Sequence, residues 1–538
     1  MPTHEVTNQA PPLPEADWYQ TDQALVEACH RYGATWADSR MSALGRIAGS
    51  DDGATLCRDA NRFGPVLRSH DRWGRRVDEV DFHPSYHRLM AIGQEHGVHC
   101  FSWANPGRPG AAVARAALHY LYCQLESSVA CPLTMTHAAV PSLRHSPALL
   151  DAWLPKVLQE AYDPRLAPMA EKRGVTLGMA MTEKQGGSDV RANTTVAVDL
   201  PDGSARLTGH KWFCSAPMSD AFLTLAQGQG GLSCYLVPRV NPDGGRNRFF
   251  IQRLKDKLGN KANASSEVEF DDTAAAMVGA PGRGVATILE MVAQTRLDVA
   301  LGAAAGMREA LRYAVHHARH RSTFGARLAD HALMQNVLAD MAVEVEAAVA
   351  LSFRLAHAVD RAQADPTAAA FARAAMPIGK YWLSKRVVQL TFEALECHGG
   401  NGYDEAWPMA RLYREAPLGS IWEGSGNVQC LDLLRVMHKQ PDALDAVQRE
   451  LQASLGADPH LDRQIRRVHE ELSVTTDLER RARRLCEALA LALQGGLLVQ
   501  HAPPAVAQAF IRGRLIDAGH NFGTLPSDVD LDALLARA

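Results

Sequence analysis

The stretch Met181-Thr182-Glu183-Lys184-Gln185-Gly186-Gly187-Ser188-Asp189 stands where the hydrophobic pattern of the chain changes. Upstream, to about residue 174, segments such as SWANPGRPGAAVARAALHYLYCQLESS (102–128) and SPALLDAWLPKVLQEAY (146–162) repeat apolar residues at three-and-four spacing. Pro and Gly sit at their edges, which is a helical reading. Downstream, RANTTVAVDLPDGSARLTGHKWF (191–213) has two β-rich runs flanking Pro201-Asp202-Gly203, a hairpin signal. GLSCYLVPRV, NRFFIQRL and SSEVEFDD continue as short strands between Gly, Asn and Asp. These runs define a β domain over 175–280. Two adjacent glycines beside hydroxyl and amide groups can present backbone N–H donors to a diphosphate or a polar ring edge. Taken alone, 181–189 reads as a polar loop before it reads as a ligand site.

From about 281 long Ala-rich helical stretches return: 285–320, 332–362 and 369–399, the last stopping at Gly399-Gly400-Asn401-Gly402. Amphipathic helices this long with short connections predict a bundle over 281–439. Residues 440–538 are helical and more polar. The fold class is thus mainly α around a central β domain, with four segments: 1–174, 175–280, 281–439 and 440–538.

Composition is ordinary for a globular protein, with 46% apolar and 22% charged residues and a net charge of −4. No global field recruits nucleic acid or an anionic membrane. None of the ten cysteines stands at CxxC spacing, so a structural zinc site or a thioredoxin-like pair has little support. The first residues lack the charged and apolar regions of a signal peptide, and no apolar run approaches a membrane span. The expectation is a soluble, cytoplasmic protein of a reducing compartment. His316 and His320 lie one helical turn apart, but without a third ligand they read as a solvated stripe, and no metal is expected. Gly279-x-x-Gly282-x-Gly284 reads as lacking the spacing and the strand-turn-helix setting of a dinucleotide fingerprint.

A second unusual stretch is Ile421-Trp422-Glu423-Gly424-Ser425-Gly426-Asn427, opening the helix VQCLDLLRVM. A carboxylate beside an indole in an apolar setting would be desolvated and its pKa raised, as a general base for a weak carbon acid requires. An acid placed for a helix dipole explains it equally well.

Together these segments resemble the acyl-CoA dehydrogenase family of flavoproteins. MTEKQGGSD matches its TEPxAGSD loop and GHKWFCS its GxKxWITN strand. RSTFGARLADHALMQNVLADM matches its RxxFGxxL…LADM helix pair, ECHGGNGY its QxxGGxGY turn, and IWEGSGNVQCLDLLR its IYEGTxxIQRxxxxR end. The resemblance implies that fold, with a β-barrel as the central domain, and an FAD-binding homotetramer built as a dimer of dimers. It places Met181, Thr182, Gly187, Ser188, Phe213, Cys214 and Ser215 at the flavin, with Phe213 in the position of the family's tryptophan. Arg321, Phe324 and Gln335 would reach the FAD of a neighbouring subunit, while Gly400, Trp422, Gly424, Ser425 and Asn427 would line the other wall. Glu423 matches the catalytic base, which takes the α-proton of an acyl-CoA thioester while hydride leaves the β-carbon. The family's second base position is Thr295, which cannot do that work. Ala293, Glu396 and Cys430 depart from the family pattern, whereas Arg296 and Arg435 keep it. These departures predict weak turnover of short or branched thioesters such as isovaleryl-CoA.

The chain runs about a hundred residues past the usual family end. In that extension, and in the wording of MTEKQGGSD, LKDKLGN and IWEGSGN, it resembles a branch of the family tied to the adaptive response to DNA alkylation. The extension holds 11 Arg, no Lys and 14 Asp plus Glu, so it is not basic overall. Its arginines are segregated: Arg463, Arg466 and Arg467 form one stripe, and Arg480, Arg481, Arg483 and Arg484 another, after a predicted capping box at Thr476-Asp477-Leu478-Glu479. Such stripes are ordinarily solvated faces paired with nearby acids. With the resemblance they are candidates for double-stranded DNA, bound through phosphates. The alternative is an ordinary FAD-dependent acyl-CoA dehydrogenase whose last domain is structural.

Overall fold

The computed structural model describes residues 3–516 and 518–538, which form two compact units. One comprises Asp51–Ala111 and Leu125–Asp298. It contains a two-stranded hairpin, β1 (Val66–His70) with β2 (Arg76–Asp81), and seven further strands. These are β3 (Leu177–Ala180), β4 (Val196–Asp199), β5 (Ser204–Ser215), β6 (Ala221–Gly228), β7 (Gly231–Pro238), β8 (Phe249–Leu254) and β9 (Ser265–Val278). Strands β6, β4, β5, β9 and β7 close into a barrel, with β3 beside β6 and β8 beside β9. Alternate residues point inward and give a core of Leu207, Phe222, Tyr235, Phe249, Ile251 and Val268. The predicted hairpin is present: Gly203 takes φ +82°, and the Asp202 carboxylate accepts the Ser204 N–H at 2.9 Å.

Two expectations need correction here. Residues 1–174 are not wholly helical, because β1 and β2 lie among them. Leu67 and Val80 pair across this hairpin and pack on the barrel core, but the charged Asp78 is buried on the inward face and the apolar Val66 is exposed, which breaks the alternation. Gly279–Gly284 does link a strand to a helix. Gly279 and Gly282 nevertheless serve the turn, at φ +79° and +70°, and a Cβ on Gly282 would meet the Gly230 carbonyl at 2.3 Å.

The other unit comprises the chain up to Ser50, Ala112–Gln124 and Val299–Ala538. The predicted long helices are Gly284–His320, Ala332–Arg361 and Pro366–Cys397, followed by Gly426–Lys439. The third stops where expected, with Gly399 at φ +60°. Helices Pro441–Gln452, Pro459–Ser473, Leu478–His501 and Pro504–Phe510 form the extension. They share a core with the second long helix, where Ala339, Val343 and Ala347 pack on Leu498, Val506 and Phe510. Buried ion pairs tie the same surfaces. Arg514 donates to Asp340 at 2.6 Å and to Glu344 at 3.2 Å, and Arg386 reaches Glu344 at 2.9 Å. Burial opposes the charge on Glu344, but the two guanidiniums hold its pKa down to about 2. Arg537, next to the C-terminus, bridges Glu27 and Glu346. Among the described residues no helix is long and apolar enough to cross a membrane.

Replacing Arg514 with Met removes a cation while leaving Asp340 and Glu344 buried. The expected loss is about 3–5 kcal/mol, read from the urea midpoint. A change below about 1 kcal/mol would mean that apolar packing alone holds the extension.

Candidate functional site

The predicted site residues fall in both units. In the barrel unit, 181–189 lies across the start of the GHKWF strand, fastened there by an ion pair with no solvent exposure. Lys211 Nζ lies 2.8 Å from Glu183 Oε1 and also donates to the Leu225 carbonyl at 2.8 Å. Glu183 accepts further bonds from Thr194 N at 2.6 Å and Thr195 N at 3.2 Å. Burial alone would raise its pKa, but the Lys211 ammonium and these donors outweigh it and hold the carboxyl down to about 2. The Thr182 carbonyl accepts the Trp212 N–H at 2.8 Å, and the Met181 carbonyl accepts Asn193 Nδ2 at 2.9 Å.

The two hydroxyls that the family resemblance assigns to the flavin are not engaged by the loop. Neither the Thr182 nor the Ser188 hydroxyl bonds to another described residue. A Cβ on Gly187 would meet Thr182 Oγ1 at 2.4 Å, so this glycine is required where the loop folds back. Beyond Trp212, Phe213 is 49% exposed, with Lys255 Nζ 4.7 Å from its ring centroid. Ser215 is half-buried, 3.3 Å from the Ser265 hydroxyl. Cys214 departs from the expectation. Strand alternation turns its thiol into the barrel core, where burial pushes its pKa up to about 12, so only its backbone can serve a ligand on the Phe213 side.

In the helical unit, Glu423 sits in a turn before the Gly426–Lys439 helix, with φ +56°, followed by Gly424 at +94°. Two successive left-handed residues, one of them not glycine, are costly unless their surroundings fix them. Lys380, buried in the third long helix, donates to the Trp422 carbonyl at 2.8 Å and the Gly424 carbonyl at 2.6 Å. Gln429 Nε2 donates to the Glu423 and Gly424 carbonyls at 2.9 and 3.0 Å. Every carbonyl from 422 to 424 is therefore held, and the half-buried Glu423 side chain is presented by a fixed backbone. Trp422 Nε1 is buried with no hydrogen-bond partner among the described residues. Sequence reading missed Lys380 and Gln429. A lone lysine inside the apolar run Met376-Pro377-Ile378-Gly379-Lys380-Tyr381-Trp382-Leu383 was the available signal.

Asn427 and Arg483 were assigned to different sites, but Arg483 Nε donates to Asn427 Oδ1 at 2.9 Å. Gly400 has open space around its Cα, and Phe324 is wholly exposed at φ +51° on a tight turn between Ser322–Thr323 and Ala326–Arg327. Arg321 donates to the Asn8 carbonyl. Gln335 lies near the start of the second long helix and is half-buried. Thr295 is buried and donates to the Val292 carbonyl at 3.0 Å, so its hydroxyl is engaged by its own helix.

The arginine stripes divide. Arg481 and Arg484 pair with Glu471 at 2.6 and 2.8 Å, and Arg481 also takes the Val474 and Thr476 carbonyls. The capping box does not form. Asp477 precedes the helix at φ +52° without a side-chain cap, and Arg481 instead ties the preceding loop to the helix through the Val474 and Thr476 carbonyls. Arg463, Arg466, Arg467 and Arg480 are exposed and have no carboxylate partner among the described residues. His316 bonds the Pro11 carbonyl at 2.8 Å.

Three family models match the chain: the adaptive response protein AidB N-terminal domain over 8–164, the acyl-CoA dehydrogenase middle domain over 178–273, and the acyl-CoA dehydrogenase C-terminal domain over 282–438. The chain is 45% identical over 537 residues to AidB of Escherichia coli (strain K12), covering 100% of this chain and 98% of that one. It is 31% identical to acyl-CoA dehydrogenase family member 11 of Caenorhabditis elegans, over 86% of this chain and 77% of that one. The crystal structure of Caenorhabditis elegans ACDH-11 in complex with C11-CoA superposes with a TM-score of 0.87 at 27% identity, covering 95% and 93% of the two chains.

Because the folded pKa of Glu183 is depressed, its ion pair contributes stability that is complete above the ordinary value of 4.5 and is lost as pH falls towards about 2. Glu183→Gln should lower stability at pH 7 by about 3–5 kcal/mol, since it strands a buried ammonium, and should flatten the acid limb. Denaturant midpoints of parent and variant between pH 2.5 and 7 check this. Parallel curves across that range would exclude Glu183 as the group responsible.

Proposed function

Because the chain belongs to the acyl-CoA dehydrogenase family, in its AidB branch, we propose that it is an FAD-dependent dehydrogenase of acyl-CoA thioesters with Glu423 as the base. The observation that carries this reading is the turn in which Lys380 and Gln429 fix a carboxylate on a left-handed backbone. The residues fit the flavin. The free hydroxyls of Thr182 and Ser188 and the close fold at Gly187 suit its polar edge and diphosphate. Phe213 offers an apolar face, and the buried Trp422 Nε1 lacks an acceptor. FAD, when bound, supplies the hydride acceptor. Glu423 removes the α-proton, Trp422 shields the carboxylate from water, and Lys380 keeps the turn from relaxing. The absence of a second base at Thr295, and Cys430 in place of the family's arginine, fit a slow enzyme.

Arg321, Phe324 and Gln335 would serve the flavin of a neighbouring subunit in a homotetramer. A wholly exposed Phe324 supports this, since such a ring is stable where a second chain covers it. Ten buried free cysteines suit a reducing, cytoplasmic setting.

Double-stranded DNA binding with protection from alkylation is favoured by a specific observation, the four unpaired arginines 463, 466, 467 and 480. Arg481, Arg483 and Arg484 are engaged within the protein and serve its structure instead. The extension thus has a packing role as well as a charged face.

Glu423→Gln keeps size and loses the base. It should leave the purified protein yellow and cut isovaleryl-CoA dehydrogenation by at least about a hundredfold. Equal turnover by parent and variant would remove Glu423 from the mechanism. Changing Arg463, Arg466, Arg467 and Arg480 to Ala should weaken duplex DNA binding and lower the salt slope by up to about 3.6 per subunit, with the flavin spectrum unchanged. If gel shifts over a salt series show the parent holding no duplex, the DNA role falls and the enzyme stands.

A further inference from the structure

The β1–β2 hairpin ends in Asp71-Arg72-Trp73-Gly74-Arg75, a tip that neither the flavin site nor the C-terminal arginines use. Its backbone is fixed. The Asp71 carboxylate accepts the N–H groups of Trp73 and Arg75, both at 2.9 Å, and Asp71 N donates to the Arg75 carbonyl at 2.8 Å. Gly74 takes φ +79°, which closes the turn. The base of the hairpin is locked to the barrel, with Arg76 donating to the Ile251 carbonyl at 3.0 Å and Asp78 accepting Ile251 N at 2.9 Å. On this rigid tip Trp73 is 65% exposed, with the Arg72 guanidinium 4.1 Å and the Arg75 guanidinium 5.5 Å from its ring centroid.

The local charges are divided unequally. Arg68 and Arg246 pair with Glu79, and Arg76 pairs with Asp78. Arg72 and Arg75 are exposed and have no carboxylate partner among the described residues. A large exposed π-surface with two unneutralised cations beside it asks for a partner that supplies both a flat ring and an anion close to it. A second copy of the tip would bring four guanidiniums together and supply no anion. An acidic peptide supplies the ring only where an aromatic residue happens to stand beside its acids, whereas every nucleotide of a strand carries both a base and a phosphate.

We propose that the Arg72-Trp73-Gly74-Arg75 tip is a docking site for single-stranded nucleic acid, with an unpaired base stacked on Trp73 and flanking phosphates on Arg72 and Arg75. A base inside an intact duplex has no free face, so this contact discriminates unpaired from paired segments. It is independent of the C-terminal arginines, which lie in the other compact unit.

The test is fluorescence anisotropy of the full-length, flavin-loaded protein with a labelled single-stranded oligonucleotide and the matching duplex. Trp73→Ala should weaken single-strand binding about tenfold, Trp73→Phe should retain most of it, and duplex affinity should stay near the parent value. Changing Arg72 and Arg75 to Gln should reduce the single-strand salt slope by about 1.4 per tip. The quadruple variant at Arg463, Arg466, Arg467 and Arg480 should keep the Trp73 effect, even if it loses duplex binding. The proposal is overturned by a Trp73→Ala protein that binds single strands as the parent does. An equal loss towards duplex, heparin or phosphatidylserine vesicles would also overturn it, because the tip would then be a general anion or surface contact. A change in sedimentation state on Trp73→Ala would do the same, marking the tip as a subunit contact.

Discussion

The 181–189 loop of the barrel unit depends on one ion pair, Lys211 with Glu183, neither partner having any exposure. Two charges removed from water this completely are tolerated only when every lone pair and proton finds a partner. Here Glu183 gathers N–H donors from Thr194 and Thr195, and Lys211 reaches across to the Leu225 carbonyl. The pair therefore does more than join two side chains. It fixes the start of the 181–189 loop against β5 and the stretch leading into β4. From those anchors the free hydroxyls of Thr182 and Ser188 and the exposed ring of Phe213 take their positions.

The 421–427 turn of the helical unit follows the same principle with different chemistry. A buried ammonium again organises the backbone, but Lys380 acts on carbonyls at Trp422 and Gly424, and Gln429 completes the set. In both segments the residues that would meet a ligand are held by neighbours that would not. Precision in the outward-facing groups comes from buried polar bonds that have no alternative arrangement.

Much of this was legible in the sequence, for definite physical reasons. The barrel strands announced themselves through turn residues such as Pro201-Asp202-Gly203, and the long helices through their apolar period. The β1–β2 hairpin escaped because its inward face buries the charged Asp78 beside Val80 while the apolar Val66 points to solvent, so no clean alternation shows. Loop residues at 181–189 and 421–427 stood out by composition, yet the partners that hold them, Lys211 and Lys380, are distant in sequence and look like ordinary lysines. The arginine stripes were visible as a pattern, but pattern could not separate Arg481 and Arg484, joined through Glu471, from Arg463 and Arg480, which face solvent. Pairing is a tertiary property, and periodicity does not encode it.

Arg537 closes one compact unit by bridging Glu27, near the start of the chain, and Glu346, in the second long helix. During synthesis these bonds cannot form until Arg537 has left the ribosome. The barrel unit has all its residues once Asp298 has emerged, while the helical unit must wait for nearly the whole remaining chain. The two units therefore differ in when they can mature on a growing polypeptide. Until Arg537 arrives, Glu346 stands in a largely buried position without the cation that pairs with it, so this bond is among the last that the helical unit can make.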